Sequence, residues 1–307
     1  MLNRALQLYG FVNPNVELIR HNENMTYKII DEIGSYVLRI HQPIDGFNLD
    51  ILLADRNKTA LIADEMAILQ YFEKKENFLT QKVKLSTCGN AIALLDNEIP
   101  VTVLEWIEGV TLESIALTPE IALNFGIMIG KTHNNLANLN LKNRYRYDGE
   151  LLSRMLVEVS KALAQGHFTE QQAKIISDVL SYIKKYLTVS EERFIIIHSD
   201  LSKSNIIFAN DKLIPIDFSL SGYCIPEMDL ASAYAHINNE ALNKEILRGY
   251  ESVSEYKPNN TGIDVCFCLQ ILLFVVCQHN KFADESWFQD SLVRWCDEQF
   301  TPLLISQ

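Results

Sequence analysis

The sequence contains little of what marks an exported, membrane-bound or nucleic-acid-binding protein. Its opening, MLNRALQLYG, has no basic segment followed by an apolar run, so no signal peptide is expected. The most apolar stretch, residues 265–277, is interrupted by Gln270 and is shorter than the roughly 20 residues that a bilayer span requires. This stretch favours a buried helix, and we expect no membrane partner.

Cysteine is also scarce. Six cysteines scattered through 307 residues do not form a disulfide framework and fit a reducing compartment, so a cytoplasmic location is expected. Cys266, Cys268, Cys277 and His279 are of the types that bind zinc, but they lie in or beside the apolar stretch, where small buried cysteines are common. Core packing is therefore favoured over a zinc site.

Positive charge is in deficit. The chain has 27 Lys and Arg against 39 Asp and Glu, a formal net charge of -12. Phosphate backbones require clustered Lys and Arg, so no nucleic-acid partner is expected. An acidic protein would favour a cationic ligand, although many proteins are acidic for solubility alone.

The first hundred residues have the pattern of a small antiparallel sheet. Three short β-branched stretches, VELIR, MTYKII and YVLRIH, alternate with polar turns. A helical period follows over residues 59–74, and two more strand patterns, AIALLD and PVTVLEW, come after it. We expect a five-stranded sheet with one helix against it.

Glu65 lies on the apolar face of that helix, together with Leu61, Ile68 and Leu69. A buried carboxylate is costly unless a cation meets it, and Arg39 in the strand YVLRI is the natural partner. The alternative is a partly exposed Glu65 beside a solvated Arg39.

The rest of the chain is mainly helical, without an internal repeat, a low-complexity tract or a Pro-rich linker. After a helix that begins at Pro119, further helices are expected near residues 150–164, 169–187, 227–250, 262–279 and 284–297. One segment breaks the pattern, RFIIIHSDLSKSNIIFANDKLIPIDFSLSG, which is typical of a strand, a polar loop and a hairpin.

The hairpin strands NIIFA and KLIPID flank Asn210 and Asp211, a pair suited to a tight turn. With those two residues as the loop, pairing back along the strands sets Asn205 opposite residue 216. Asn205 and Asp217 then share the open end, and the loop after FIIIH delivers Asp200 to the same place. Magnesium prefers oxygen ligands of this kind, and Asp200 could accept a proton from an attacking hydroxyl.

HSDLSKSN followed by IDF resembles the HxDxxxxN catalytic loop and the metal-binding Asp-Phe motif of the aminoglycoside phosphotransferase and choline kinase family, which shares its fold with protein kinases. The likeness covers nearly the whole chain. It includes NENMTYKI, YVLRIHQP, VLEWIEG, GKTH and PEMDLA, and it looks closest to the bacterial branch with type II homoserine kinases.

The resemblance implies an α+β, two-lobed kinase-like fold, with a nucleotide-binding lobe and hinge over residues 1–108 and a catalytic, substrate-binding lobe over residues 109–307. It implies ATP and Mg²⁺ as cofactors. Asp200 would be the catalytic base, and Asn205 and Asp217 would bind the magnesium ion.

The nucleotide contacts are also implied by the resemblance. Arg39, paired with Glu65, would stand in the place of the usual Lys on the ATP phosphates, a change that keeps the charge and alters hydrogen-bond geometry. The backbone from Glu105 to Ile107 would hold the adenine edge. The turn HNEN would cover the phosphates, which brings in Asn22 and Asn24. Two residues outside direct catalysis are assigned as well: His198 would organise the catalytic loop and Asp229 would anchor it.

The acceptor would be a hydroxyl of a small molecule similar to an aminoglycoside, choline or homoserine, bound by a monomer or homodimer. A cationic acceptor is one option. Four acidic residues after the metal motif could receive its amine, with a solvated helix face as the alternative: Glu227, Glu240, Glu245 and Glu251.

Two other functions stay open. One is a nucleotide-binding pseudokinase that acts as a scaffold, for which Arg39 in place of the usual Lys is the only support. A small bacterial Ser/Thr protein kinase is the other, although the segment between Asp217 and Asp229 is short, no APE motif follows, and Ser202 replaces the Lys of such kinases.

Overall fold

The computed structural model describes residues 1–44, 50–75, 78–96 and 98–305. The N-terminal lobe is built on an antiparallel sheet in the order β1-β2-β3-β6-β4, with β5 also paired to β6. Its strands are β1 Asn15–His21, β2 Met25–Ile30, β3 Ser35–Ile40, β4 Val83–Lys84, β5 Ile92–Leu95 and β6 Ile99–Glu105. Its helices are α1 Leu2–Leu8, α2 Asp50–Leu53 and α3 Lys58–Glu73.

The expected sheet was one strand short. The sixth strand, β4, has only two residues, too few for any alternation of polar and apolar side chains to show in the sequence. The lobe also has more than the single helix expected, because α1 buries Ala5 and Leu6 in the same apolar cluster as the sheet.

Helix α3 is placed by its cap and its apolar face. The side chain of Asn57 accepts a hydrogen bond from the amide of Ala60 at 3.0 Å and so satisfies one of the free donors at the helix start. Along the buried face, the ring of Phe72 stacks on that of Phe78 with centroids 4.2 Å apart. This face carries Glu65 into the interior, where only 2% of the residue is exposed.

The C-terminal lobe is helical, as expected. Its helices are α4 Pro119–Leu136, α5 Gly149–Ala164, α6 Glu170–Thr188, α7 Glu227–Ile237, α8 Glu240–Val253, α9 Asn260–Phe282, α10 Ser286–Trp295 and α11 Thr301–Ile305. The prediction of one helix over 227–250 was wrong. Asn238 adopts a left-handed conformation (φ 48°) that ends α7, and the side chain of Asn239 accepts from the amide of Leu242 to start α8.

Short strands complete this lobe: β7 Val110–Thr111, β8 Tyr145–Arg146, β9 Ile195–Ile197, β10 Ile206–Ala209, β11 Lys212–Pro215 and β12 Gly222–Cys224. The hairpin of β10 and β11 has the predicted register, with Ala209 opposite Lys212. Asn210 and Asp211 both have positive φ, as a tight hairpin turn requires. Past the last strand pair, the amide of Ile216 donates to the carbonyl of Asn205 at 2.9 Å.

Among the described residues, α9 is the one helix that is long and apolar enough to cross a membrane. The expectation that this segment is too short for a membrane span was therefore wrong. However, 56% of its most apolar stretch is buried inside the protein, which fits a core helix. Cys266 and Cys268 pack in this core, and the Sγ of Cys268 lies 3.6 Å from the carbonyl oxygen of Gln299. No group of three or more metal-binding His, Cys, Asp or Glu side chains occurs in the part of the chain that the structure describes.

Candidate active site

The loop after β9 and the end of the hairpin bring Asp200 and Asn205 into direct contact. The Nδ2 of Asn205 donates to the Oδ2 of Asp200 at 2.8 Å and to its backbone carbonyl at 3.1 Å. Because the amide hydrogens of Asn205 point to Asp200, its Oδ1 is the atom that could bind a cation. The predicted convergence of these two residues is therefore present.

Asp229, in the first turn of α7, holds the start of the loop that follows β9 (residues 198–205), which is the predicted catalytic loop. Its Oδ2 accepts from the amide of His198 at 2.9 Å, and its Oδ1 accepts from the amide of Ser199 at 2.7 Å. The Nε2 of His133 lies 2.9 Å from the same Oδ2, and the Nδ1 of His133 lies 2.9 Å from the hydroxyl of Tyr250. Burial raises the pKa of Asp229, but the hydrogen bonds from His133 and from the His198 amide outweigh it and lower the pKa below its usual range.

His198 bridges the catalytic loop and the hairpin. Its Nε2 lies 3.0 Å from the carbonyl oxygen of Ile216, and its Nδ1 lies 3.3 Å from the amide nitrogen of Asp200. The tautomer inferred from these partners carries its proton on Nε2 and is neutral. The ring also packs on Phe218, with centroids 4.4 Å apart. This geometry is that of an organising residue.

Asp217 follows the hairpin in a left-handed conformation (φ 62°, ψ 70°), which aims its carboxylate at the N-terminal lobe. Its Oδ2 accepts from Nη2 of Arg20 at 2.6 Å, and its Oδ1 lies 3.4 Å from Nη1 of Arg39. Burial raises the pKa of Asp217, but the positive charges of Arg39 and Arg20 dominate and lower it.

Arg39 meets the predicted partner. Its Nη2 donates to the Oε1 of Glu65 at 2.8 Å, and both side chains are at most 5% exposed. Its Nε is buried without a hydrogen-bond partner among the described residues. Arg39 thus connects the buried carboxylate of α3 to Asp217, and the alternative of a solvated pair is wrong.

Two charged residues at this point were missed from the sequence. Arg20 lies on β1, whose side chains are mostly exposed, and it pairs with a residue 197 positions away, so no local pattern could reveal the contact. Glu23, at the tip of the β1–β2 hairpin, lies close enough to Asp217 and Glu65 for their charges to act on it. Burial, with the neighbouring carboxylates of Asp217 and Glu65, raises the pKa of Glu23 to about 7.

The other residues expected at the nucleotide are more dispersed. The amide of Glu105 donates to the Lys82 carbonyl at 2.8 Å, so this amide is part of the sheet, and an adenine contact from Glu105 or Ile107 would need other backbone groups. Asn24 is buried, and its Oδ1 has no partner among the described residues. Asn22 is exposed at the hairpin tip and lines a large cavity together with Asp200.

The oxygen atoms of Asp217 and Asn205 are of the chemical type that binds a magnesium ion. The carboxylate of Asp217 and the Oδ1 of Asn205 are oxygen ligands, and the backbone hydrogen bond between Asn205 and Ile216 keeps the two residues at one end of the hairpin. In this structure the carboxylate of Asp217 is neutralised by two arginines, which shows that the position favours positive charge.

Comparison with known proteins agrees with this geometry. Residues 15–259 match the model of the phosphotransferase enzyme family, often abbreviated APH. The chain belongs to this family. The resemblance to aminoglycoside phosphotransferases and choline kinases and the expected enzyme class, a phosphotransferase, are thereby confirmed. No curated protein sequence matches the chain.

Solved structures share the fold of this phosphotransferase over almost its full length. An amicoumacin kinase in complex with AMP-PNP, Ca²⁺ and Ami is 18% identical, with a TM-score of 0.78 and coverage of 98% of this chain and 92% of that one. A microcompartment-associated aminopropanol kinase is 16% identical (TM-score 0.75, coverage 96% and 93%). A choline kinase from Streptococcus pneumoniae is 17% identical (TM-score 0.68, coverage 98% and 97%). The expected two-lobed kinase-like fold is confirmed.

Asp200 of the phosphotransferase opens into a cavity of about 630 Å³ between the catalytic loop and α9. None of the four acidic residues proposed for an amine lines this cavity. Glu227 is fully buried in an ion pair with Arg193, while Glu240 and Glu245 form surface pairs with lysine and arginine on their own helix. Glu240 and Glu245 therefore lie on a solvated helix face, the alternative given for them, and the buried pairing of Glu227 does not favour contact with a cationic acceptor.

Proposed function

We propose that this protein transfers the γ-phosphoryl group of ATP, in the presence of magnesium, to a hydroxyl group of a small molecule. One observation carries the proposal. Asp200 accepts a hydrogen bond from Asn205 at the end of the hairpin that leads to Asp217, and Asp200 also lines a cavity large enough for a small molecule. Similar structures solved with AMP-PNP or ADP support ATP as the donor.

In the reaction, the acceptor oxygen attacks the γ-phosphorus and the bond from that phosphorus to the bridging oxygen of ADP breaks. The carboxylate of Asp200 takes the proton of the acceptor hydroxyl, and its contact with Asn205 orients it for this purpose. Arg39, held by Glu65, supplies positive charge on the nucleotide side of the cleft. Most of the rate acceleration would come from positioning and charge neutralisation.

Asn205 and Asp217 would hold the magnesium ion, which neutralises charge on the phosphate oxygens. Glu105, Ile107, Asn22 and the neighbouring backbone would contact the nucleotide, in line with the family resemblance. The likeness to the homoserine kinase branch, the division at residue 108, the cytoplasmic location and the monomeric or homodimeric state stay predictions.

The test compares the wild-type protein with Asp200→Asn. Product would be followed by ³¹P NMR with ATP, Mg²⁺ and a panel of hydroxyl compounds, and nucleotide affinity would be followed separately with a fluorescent ATP analogue. We expect turnover to fall by at least about 100-fold while nucleotide binding survives. Asp211→Asn, which changes an exposed carboxylate in the hairpin turn, is the matched control and should keep its rate.

The two rival functions give different results. A pseudokinase would bind nucleotide but form no product with any acceptor, and Asp200→Asn would change nothing. A protein kinase would label generic protein substrates and ignore small hydroxyl compounds. Either result would overturn the proposal.

A further inference from the structure

The cavity at Asp200 has aromatic and apolar walls. Helix α9 contributes Phe267, Phe274 and Phe282 from one face, Tyr147 lies on another side, and Trp295 at the end of α10 completes the wall. Phe274 is 36% exposed, a large apolar surface for a residue in the middle of a core helix. Aromatic rings left open to a cavity are suited to stack on a flat apolar group.

The charges around this cavity do not suit a cation. Asp200 is the only carboxylate among the described residues that line it, and Lys281 brings the one ammonium group. His236 also lines it, and burial lowers the pKa of that ring, which keeps it neutral. The acidic surface of the protein therefore does not extend into this cavity.

Polar groups are concentrated at the Asp200 end. The Nε2 of Gln270 donates to the carbonyl of Ser199 at 2.9 Å, and the hydroxyl of Ser232 accepts from the amide of Leu201 at 2.9 Å. Lys281 lies about 16 Å from Gln270 along the axis of α9, at a rise of about 1.5 Å per residue. The cavity thus has polar groups beside Asp200, the neighbouring rings of Phe274 and Trp295 in its middle, and the positive charge of Lys281 at its far end.

We infer that the phosphoryl acceptor is a hydroxyl compound with a flat aromatic body and a neutral or negatively charged far end. The inference rests on the proposed function, since Asp200 defines the end at which the hydroxyl binds. The hydroxyl lies at Asp200, the aromatic body lies against Phe274 and Trp295, and the far end faces Lys281. A compound with a positive charge at the far end is disfavoured.

Three compounds with one skeleton test this: 4-(2-hydroxyethyl)benzoate, 4-(2-hydroxyethyl)benzamide and 4-(2-hydroxyethyl)benzylamine, which are anionic, neutral and cationic. Their affinities would be measured by calorimetry without nucleotide, and phosphoryl transfer by ³¹P NMR with ATP and Mg²⁺. We expect the anion and the neutral compound to bind at least about five-fold more tightly than the cation. Choline serves as a cation without a ring.

Variants locate the binding. Phe274→Ala should weaken all three aromatic compounds by at least about five-fold. Trp287→Ala is its control, because Trp287 contacts the rings of Phe274 and Phe282 without lining the cavity. Lys281→Gln should weaken only the anion, by about three-fold, while Lys174→Gln on the surface of α6 should not.

The outcomes separate this inference from the proposed function. Binding of the anion and the neutral compound without transfer would support the inference and count against the kinase activity. Transfer to choline or to the benzylamine in preference to the others would support the activity and overturn the inference. Binding of none of the aromatic compounds, or equal binding by the Phe274→Ala variant, would overturn it too.

Discussion

Two aspartates close in sequence, Asp229 and Asp217, solve the problem of a buried negative charge in different ways. Among the described residues, the hydrogen-bond partners of the Asp229 carboxylate all lie in its own lobe: the ring of His133 and the amides of His198 and Ser199. Asp217 has both of its arginine partners, Arg20 and Arg39, in the other lobe, so their charges reach it across the cleft, while Ser219 adds a hydrogen bond from its own lobe. Both have a lowered pKa, so both are carboxylates at neutral pH.

The difference separates stability from chemistry. The partners of Asp229 are backbone amides and a fully buried imidazole, which nothing from solvent can replace. The closest partner of Asp217 is Arg20, whose side chain is 46% exposed and can give way to another cation. Asp229 is therefore a structural anchor, and Asp217 is the carboxylate suited to a ligand ion.

The largest effect is expected for Asp229→Asn. The side-chain amide of asparagine has one acceptor oxygen, which cannot accept hydrogen bonds from His133 and from the backbone amides of His198 and Ser199 together. The substitution therefore leaves a buried donor without a partner. We expect the free energy of unfolding to fall by about 3–5 kcal/mol in urea titrations. Asp211→Asn should change it by less than about 0.5 kcal/mol. A similar loss in both variants would contradict the anchoring role.

Asp217→Asn should instead reduce ligand binding. We expect ATP affinity in the presence of Mg²⁺ to weaken by at least about ten-fold, because a neutral amide is a poorer ligand for a divalent cation. Affinity without Mg²⁺ should rise or stay unchanged. A loss of the same size with and without Mg²⁺ would show that Asp217 does not act through the metal.

Glu23 extends the comparison to pH. Its pKa rises from 4.5 to about 7 in the folded protein, so between these values the folded state holds a proton that the unfolded chain has lost. The free energy of unfolding therefore falls as pH rises through this window. Glu23→Gln should remove the slope, so that its free energy of unfolding gains about 2–3 kcal/mol on that of the wild type between about pH 5 and about pH 8.

Urea titrations across this pH range would measure the difference, with Glu32→Gln, an exposed residue of the following turn, as the control. A constant offset between Glu23→Gln and the wild type at every pH would contradict the assignment of the slope to Glu23.

The smallest effect is expected for Arg20→Gln. Its exposed ion pair contributes little to stability, about 0–1 kcal/mol. Its removal should lower the Mg²⁺ concentration at half-maximal activity by a few-fold, since one competing cation is gone. Arg4→Gln, which breaks the exposed pair with Asp96, should leave the Mg²⁺ dependence unchanged. An increase in the Mg²⁺ requirement would mean that Arg20 supports the metal site.

The sequence predicted those parts of the site that obey short-range rules. The hairpin register follows from strand alternation and from the turn residues Asn210 and Asp211. The pair of Arg39 and Glu65 follows from the cost of an unpaired buried charge. Neither prediction needs knowledge of how distant elements pack.

What the sequence did not predict depends on packing between distant segments. The contact of Arg20 with Asp217 and the aromatic cavity along α9 arise only when elements far apart in sequence meet. The buried pairing of Glu227 with Arg193 was missed for the same reason, because a local charge pattern cannot show it. Net charge likewise describes the surface and not the cavity.

The short strand β7 has a consequence for how the lobes move. It pairs with β10, so the sheet that contains the hairpin starts directly after the segment that joins the two lobes (residues 107–109). The last hydrogen bond to the sheet of the N-terminal lobe is donated by the amide of Trp106. A Cβ at Gly109 would lie 2.7 Å from the Phe208 carbonyl oxygen, so a larger residue would force β7 and β10 apart. We expect the N-terminal lobe to rotate about residues 107–109. Because this segment leads directly into β7, which pairs with the hairpin, any rotation would change the position of the N-terminal lobe relative to the groups at the end of the hairpin.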